Sequence, residues 1–429
     1  MYILFELYEN VSANIGVMWQ EGRELDYAQM KRKLCTMVQE RLNLGKDYTD
    51  EEVGETIDEV ILGQDGLGLY PVKLRQRLKE ELFNSLRRLD ILQIFVEDSS
   101  VTEIMINGLE HIFIERDGKL KELDLEFESM EKLQDIIQQI VAGCNRVINE
   151  ASPIVDARLS NGARVNIVMN PVALNGPIIT IRRFPDKPIT MEWLIQKESI
   201  TMEAAAFLQR LVQAGYNIFI SGGTGSGKTT FLNVLSDFIP SEERVITIED
   251  SAELQLQGLP NLVRLETRNA NVEGCQEITI RELIRSSLRM RPDRIIVGEV
   301  RGPEAIDMMQ CLNTGHDGSM STGHANSARD MLLRLENMIL MGMELPLGAI
   351  KQQIASGIDV IVHLGRLRDK SRRVLEITEV LDCEGGEIKL NPLYVFEEMG
   401  QDSEGKIIGR LQKKGALLRQ NKLKSAGLS

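Results

Sequence analysis

Eight consecutive residues, Gly222, Gly223, Thr224, Gly225, Ser226, Gly227, Lys228 and Thr229, have the types and spacing to hold a chain of phosphates. Glycines at 222, 225 and 227 let the backbone curl until successive N–H groups face an anion. Lys228 reaches the β- and γ-phosphates, and the Thr229 hydroxyl takes a place on Mg²⁺. The elements needed to hold such a loop are legible on either side of it. The run Asn217–Ile220 reads as a strand entering the loop, and a helix opens at Thr229 and Thr230 and continues through Phe231, Leu232 and Leu235. The positive end of that helix's dipole then faces the same anion. A glycine-rich turn with a fortuitous lysine lacks these flanks, so the segment is read as a nucleotide-binding phosphate loop.

Cleaving a bound triphosphate needs Mg²⁺ across the β- and γ-oxygens and a group that orients the attacking water. The run Val245–Ile248 ends in Glu249 and Asp250, with Glu253 one short turn on, and Arg294–Val297 ends in Gly298 and Glu299. In an open α/β sheet, ligands sit at the carboxyl ends of the strands, where these acids would face the phosphates. One strand-end acid alone is ordinarily a solvated surface residue. Two of them downstream of a phosphate loop make Glu299 and Glu249 candidates for catalysis. Of only four histidines, His316 and His324 fall in a stretch rich in Gly, Ser and Thr. His324 is either a hydrogen-bond partner of the γ-phosphate or a structural loop residue, and His316 leans to the latter; His111 and His363 read as ordinary. Arg281, Arg285 and Arg289 share one face of a helix expected over 281–289, and Arg164 and Arg182 lie on expected strands. An arginine from a neighbouring subunit often stabilises the charge on a transferred phosphoryl group, but spacing alone favours a solvated basic face for these.

The chain of 429 residues has room for two or three domains. Residues 1–94 read as a helical region in which Leu74, Leu78, Leu82, Leu86 and Leu89 mark one face. Residues 95–184 read as a small mixed α/β domain, and 185–200, with Pro185 and Pro188, as a linker. Residues 201–396 alternate strand and helix, the pattern of a mostly parallel sheet covered on both faces. Residues 397–429 form a tail with Lys406, Arg410, Lys413, Lys414, Arg419, Lys422 and Lys424, and no acid after Glu404. That tail is either a frayed, solvated terminus or a contact for acidic lipid or an acidic partner. Five scattered cysteines, Cys35, Cys144, Cys275, Cys311 and Cys383, fit neither a disulfide framework nor a structural zinc site. No apolar run approaches a bilayer span and the start lacks the pattern of a secretory signal, so a cytoplasmic location is expected. A net charge of −14 opposes broad binding to nucleic acid.

The phosphate loop, Ile248–Asp250 with Glu253, Arg291–Arg301 and Thr322–Asn326 together resemble the type II/type IV secretion ATPase superfamily. In that family's terms they are the Walker A, Asp-box, Walker B and His-box motifs in order. The form of 289–294 and the stretch Ser152–Asn166 are most similar to the CpaF-like branch, the ATPases that assemble Flp/Tad pili. The resemblance covers residues 95–395. It implies a RecA-like P-loop NTPase C-terminal domain joined to a smaller mixed α/β N-terminal domain, with ATP and Mg²⁺ bound between them in a homo-hexameric ring. The ring would act on an inner-membrane platform protein at the inner face of the cytoplasmic membrane. Glu299 then corresponds to the catalytic glutamate, with Glu249 and Glu253 supporting Mg²⁺ and water. His324 belongs to the His box, Arg164 and Arg182 match phosphate-reaching arginines of the N-terminal domain, and Arg285 and Arg289 match arginines between the two acidic boxes. The tetracysteine zinc insert of some relatives is absent. Gly298 stands where many phosphate-loop enzymes place an aspartate, which leaves Mg²⁺ to Thr229, water and ATP.

The principal reading is therefore an ATPase that drives pilus assembly or protein secretion, and its nearest rival is a type IV secretion or conjugation ATPase. A nucleic-acid motor is disfavoured by the acidic charge and an aromatic content of 5%. A regulatory module without turnover is disfavoured by Lys228, Thr229 and Glu299 being intact. No Asn-Lys-x-Asp motif is present to read guanine.

Overall fold

The computed structural model describes residues 24–42, 46–64, 72–116, 118–144, 146–159, 161–183, 188–268 and 276–428. The helical reading of residues 1–23, Pro185 in the linker and Cys275 lie outside them. The chain divides into two compact units, Met1–Asp186 and Lys187–Ser429.

The first unit opens with helices α1 (Glu24–Arg41), α2 (Asp50–Leu62) and α3 (Val72–Arg87). Leu34, Val38, Val53, Ile57, Leu78 and Leu82 form their shared apolar core. Helix α2 starts where Thr49 Oγ1 accepts the Glu52 N–H at 3.2 Å and Glu52 Oε2 accepts the Thr49 N–H at 2.8 Å. Such a reciprocal cap stabilises a helix by about 1 kcal/mol. After α4 (Gln93–Glu97), the chain builds β1 (Val101–Asn107), β2 (His111–Arg116), β3 (Lys119–Leu123), α5 (Met130–Ala142), β4 (Ile154–Arg158), β5 (Arg164–Val168) and β6 (Ile178–Arg182). These strands make one antiparallel sheet in the order β3-β2-β1-β6-β5-β4. Alternate residues such as Ile104, Ile106, Val165, Ile167, Ile179 and Ile181 pack with Leu133, Ile136, Ile137 and Ile140 of α5.

The second unit runs α6 (Met191–Gln196), α7 (Met202–Gln213), β7 (Ile218–Gly222), α8 (Lys228–Ser236), β8 (Val245–Glu249), β9 (Leu262–Glu266), α9 (Ile280–Ser287), β10 (Arg294–Val297), α10 (Glu304–Leu312) and β11 (Met320–His324). It continues with α11 (Ala328–Gly342), α12 (Leu347–Gly357), β12 (Val360–Arg366), β13 (Arg372–Glu384), β14 (Glu387–Gln401), β15 (Ile407–Lys413) and α13 (Asn421–Ser425). Its nine-stranded sheet has the order β15-β14-β13-β12-β7-β11-β10-β8-β9. Strands β12 to β9 of that list run parallel, with β7 central between β12 and β11. This is the RecA-like α/β arrangement, and it turns the carboxyl ends of β7, β8, β10 and β11 to one edge. Every residue of β7, β8 and β10 is buried, as strands covered on both faces require. Arg294 can open β10 inside the core because Glu243 Oε1 accepts from its Nη2 at 2.8 Å and the Val212 carbonyl accepts from its Nη1 at 2.7 Å.

The structure departs from three sequence-based expectations. Residues 397–428 do not form a frayed tail: β14 continues to Gln401, β15 pairs with it, and Leu411, Leu417 and Leu423 join the core. The basic residues of that segment are largely paired, Lys422 with Asp359 at 2.8 Å and Asp317 at 2.6 Å, and Arg419 with Asp382 at 2.5 Å. Much of 185–200 is folded as well, since Met191, Leu194 and Ile200 are buried in the second unit's core. The helix expected over 281–289 ends at Ser287, which leaves Arg289 in the turn beyond it.

Candidate functional site

The fully buried strand β7 delivers the chain to the phosphate loop under tight constraint. A Cβ on Gly222 would lie 2.5 Å from the Leu364 carbonyl oxygen and 2.6 Å from Ser226 Oγ, so only glycine lets the loop leave the sheet there. Gly225 and Gly227 have φ of 69° and 93°, the left-handed backbone that folds the loop back on itself. Ser226 Oγ donates to the Gly223 carbonyl at 2.8 Å, and Lys228 Nζ donates to the same oxygen at 3.2 Å. Thr224 and Gly223 are exposed, whereas Thr229 and Thr230 are half-buried in the first turn of α8. The loop therefore presents a collar of backbone and the unsatisfied N–H groups of a helix start.

Around this collar stand side chains from three neighbouring strand ends. Lys228 Nζ lies 3.3 and 3.4 Å from the two ring nitrogens of His324, the last residue of β11. His324 Nε2 in turn lies 2.9 Å from Glu299 Oε1, just past β10. Burial and then the Lys228 ammonium push the imidazole pKa down, so His324 is neutral at neutral pH. The other oxygen of Glu299 accepts from Arg301 Nη2 at 2.7 Å, and Arg301 also lies 3.8 Å from Asp250. Glu299, His324, Lys228 and Arg301 thus form one connected group.

Glu249 closes the site from β8. Its Oε2 accepts the N–H groups of Glu253 at 2.7 Å and Leu254 at 2.8 Å, which fixes the loop after the strand. Burial raises its carboxyl pKa to about 7, a larger effect than the opposing pull of those two N–H groups. Gly298 is glycine for a local reason: a Cβ there would come within 3.0 Å of Glu249 Cγ. The place of the aspartate found in many phosphate-loop enzymes is thus filled by the glutamate of the adjacent strand. Thr322 Oγ1 donates to the Gly298 carbonyl at 2.8 Å and ties β11 to this turn.

Two carboxylate oxygens, Glu249 Oε1 and Glu299 Oε1, are buried with no aligned hydrogen-bond donor; the His324 approach to the latter lacks hydrogen-bond geometry. Leaving a buried acceptor unpaired costs about 1–3 kcal/mol. Acceptors of this kind beside a phosphate cradle fit a magnesium triphosphate with its ordered water, and Thr229 sits at the helix start where the metal would be held.

The arginines fall in different places. Arg285 Nε donates to Asp307 Oδ1 at 2.9 Å, and Arg281 Nε to Asp307 Oδ2 at 2.6 Å, so both lash α9 to α10 through a carboxylate that is 4% exposed. Arg289 is exposed beyond the helix end. Arg164 and Arg182 are in the first unit, directly opposite one another on β5 and β6, and Arg164 Nη2 lies 3.4 Å from Asp156 Oδ1. His316 bonds locally, 3.3 Å from the Cys311 carbonyl, and His363 Nδ1 meets Ser221 Oγ at 2.9 Å inside the sheet. Sequence reasoning passed over Arg301, two residues after Glu299, and Arg372, whose Nε donates to the Gly225 carbonyl at 2.9 Å. The first had a signal in its spacing from the glutamate; the second had none.

A central phosphate-loop strand with acids and a histidine at adjacent strand tips defines a P-loop protein of the RecA-like class. The type II/IV secretion system protein family matches residues 86–404, and the chain belongs to that family. A relative from Mycobacterium tuberculosis (strain H37Rv), named "Putative conjugal transfer protein", is 33% identical over 301 residues, 69% of this chain and 85% of that one. The type IV secretion system protein VirB11 of Brucella suis biovar 1 is 32% identical over 306 residues, 64% of this chain and 84% of that one. Among solved structures, the VirB11 ATPase of the Brucella suis type IV secretion system in complex with sulphate is 30% identical, with a TM-score of 0.38, and the match covers 67% of this chain and 91% of that chain. Among the described residues, no helix is long and apolar enough to cross a membrane.

Proposed function

We propose that this protein is an ATPase that binds ATP at residues 222–230 and hydrolyses it to drive a secretion or pilus-assembly machine. The observation that carries the reading is the pair of buried carboxylate oxygens without an aligned hydrogen-bond donor, on Glu249 and Glu299, at strand ends of the sheet that holds the phosphate loop. Lys228 and the N–H groups of the loop hold the β- and γ-phosphates, and Thr229 provides the protein's ligand to the metal. Mg²⁺, when bound, spreads the charge that develops on the transferred phosphoryl group. Glu299 orients the attacking water and takes its proton. Neutral His324, in reach of both Lys228 and Glu299, reports the γ-phosphate to the carboxylate. Glu249 and Glu253 shape the water side of the site, and Arg301 keeps Glu299 in place. Arg164, Arg182, Arg285 and Arg289 are proposed as further phosphate-directed charges on the strength of the family resemblance; for Arg285 that role requires leaving Asp307.

The working form is proposed to be a homo-hexamer acting on an inner-membrane platform protein from the inner face of the membrane, with the Flp/Tad, CpaF-like branch as the specific assignment. A type IV secretion or conjugation ATPase is the second reading, supported by relatives named as conjugal transfer and VirB11 proteins. Co-purification with a pilus platform protein supports the first, and with a conjugation channel the second. The core of the proposal is tested by comparing Lys228→Ala with Glu299→Gln in ATP binding and turnover. Lys228→Ala is expected to abolish binding, whereas Glu299→Gln binds ATP normally and hydrolyses it ~10²-fold more slowly or worse. Equal loss of binding in both removes the role given to Glu299.

A further inference from the structure

The β12–β13 hairpin reaches the phosphate loop from the side opposite the catalytic acids. Strands β11, β10 and β8, which carry His324, Glu299 and Glu249, all lie to one side of β7, and β12 lies to the other. At the end of β12 the chain turns through 367–371 and returns with Arg372, whose Nε donates to the carbonyl of Gly225 at 2.9 Å. The arginine's Cδ lies 3.6 Å from where a Cβ of Gly227 would be, so its stem also rests against the loop. Arg366, across the hairpin, approaches the same turn, with Nη1 3.9 Å from the corresponding position at Gly225.

The hairpin is itself held firmly. Asp369 Oδ1 accepts the Ser371 N–H at 2.9 Å and the Ser371 hydroxyl at 2.6 Å, while its Oδ2 accepts the Ile407 N–H of β15 at 2.8 Å. The Leu367 N–H donates to the Ser371 carbonyl at 2.8 Å and closes the turn. Arg368 pairs with Glu398 at 3.1 Å on the far strand and makes no bond to the loop. A braced support therefore carries a guanidinium that grips a phosphate-loop carbonyl.

The planarity of the peptide gives this contact a consequence. In a trans peptide the C=O of residue 225 and the N–H of residue 226 point in opposite directions. Arg372 is exposed and holds the Gly225 carbonyl toward solvent, so the Ser226 N–H turns to the inner side of the loop. There it makes only a long bond, 3.4 Å, to the Gly223 carbonyl, and is available to an anion. Gly225, on the amino side of this peptide, leaves its orientation weakly fixed by the backbone itself. Resting on the reading of 222–230 as a nucleotide site, we propose that Arg372 is a positioning residue that sets the 225–226 peptide for binding the β-phosphate.

The test measures equilibrium binding of ADP and of inorganic triphosphate to the full chain, with the melting temperature followed alongside. Arg372→Ala is expected to weaken both ligands by the same factor, about tenfold, the value of one backbone hydrogen bond. The factor is the same at low and high salt, kcat at saturating ATP changes less than threefold, and Arg372→Lys restores part of the affinity. Arg368→Ala, on the same hairpin, leaves binding unchanged and controls for general loosening of the turn. Loss of ADP but not triphosphate binding would show a contact with the nucleoside and overturn the proposal. A factor that shrinks at high salt would show a direct ion contact with phosphate and overturn it equally. Unchanged binding in Arg372→Ala sinks the positioning role alone, whereas a wild-type chain that binds neither ligand sinks the nucleotide site itself.

Discussion

Replacing Glu249 with glutamine should make the nucleotide-free protein more stable, by an amount that grows as pH rises from 4.5 and is complete above the carboxyl's raised pKa. Glu249 is 3% exposed, and burial lifts its pKa from 4.5 to about 7. A displacement of that size corresponds to about 3 kcal/mol of folding free energy. The sign follows from proton counting. Between pH 4.5 and 7 the folded chain keeps the proton and the unfolded chain releases it, so stability falls as pH rises and the full loss is reached above pH 7. At about pH 5 the penalty is under about 1 kcal/mol, and at about pH 8 it is complete. Glutamine carries no charge, its carbonyl oxygen can accept the same two N–H groups, and its amide occupies the place of the unpartnered oxygen. For a unit of this size each kcal/mol moves the melting temperature by about 2–4 °C. Glu249→Gln should therefore melt roughly 6–12 °C above the wild type at about pH 8 and within about 3 °C of it at about pH 5. Calorimetry at the two pH values without nucleotide decides the matter. A difference between the two proteins that stays constant with pH would mean that Glu249 is not held protonated by burial.

The neighbouring geometry gives further expectations. Gly298→Ala places a methyl group 3.0 Å from Glu249 Cγ, so a loss of about 1–3 kcal/mol in thermal melts and slower ATP turnover are expected; an unchanged melt would show that the glutamate moves aside freely. Asp307→Asn deprives Arg281 and Arg285 of their shared buried carboxylate and should cost about 1–3 kcal/mol in denaturant unfolding while ADP binding stays at the wild-type value. Arg301→Ala removes the 2.7 Å partner of Glu299 and should lower kcat about tenfold with little change in KM, and a change in KM alone would contradict a role acting through Glu299.

How much of this site was legible beforehand depends on whether a residue acts through its neighbours in sequence. The phosphate loop, its strand and its helix are local, and residues 218–236 fold as their spacing implies. The runs before Glu249 and Glu299 are short and dominated by Val and Ile, so they announce buried strands with acids at their tips. The end of the second unit, from residue 397, is where the sequence misleads, because a basic, weakly periodic segment looks solvated until its partners are known. Strand β15 survives at the sheet's end because Leu411 and Ile407 are buried and because acids distant in sequence, such as Asp359 and Asp382, receive the cations that follow it. Arg285 shows the converse: it shares a helix face with Arg281 as its spacing implies, yet the carboxylate that occupies both comes from another helix.

By itself the sequence determined the chemistry on offer: a backbone cradle for phosphates, a lysine and a threonine at its helix start, and acids and a histidine on separate segments downstream. Those follow from residue types and short spacings, which local backbone geometry enforces. The tertiary structure alone decided which of these groups meet. Parallel pairing of β8, β10 and β11 beside β7 puts Glu249, Glu299 and His324 at one edge, fills the space above Gly298 with a glutamate, and brings Arg372 to the loop from 147 residues away. Strand order and long-range burial set those distances, and neither is written in the spacing of any one segment.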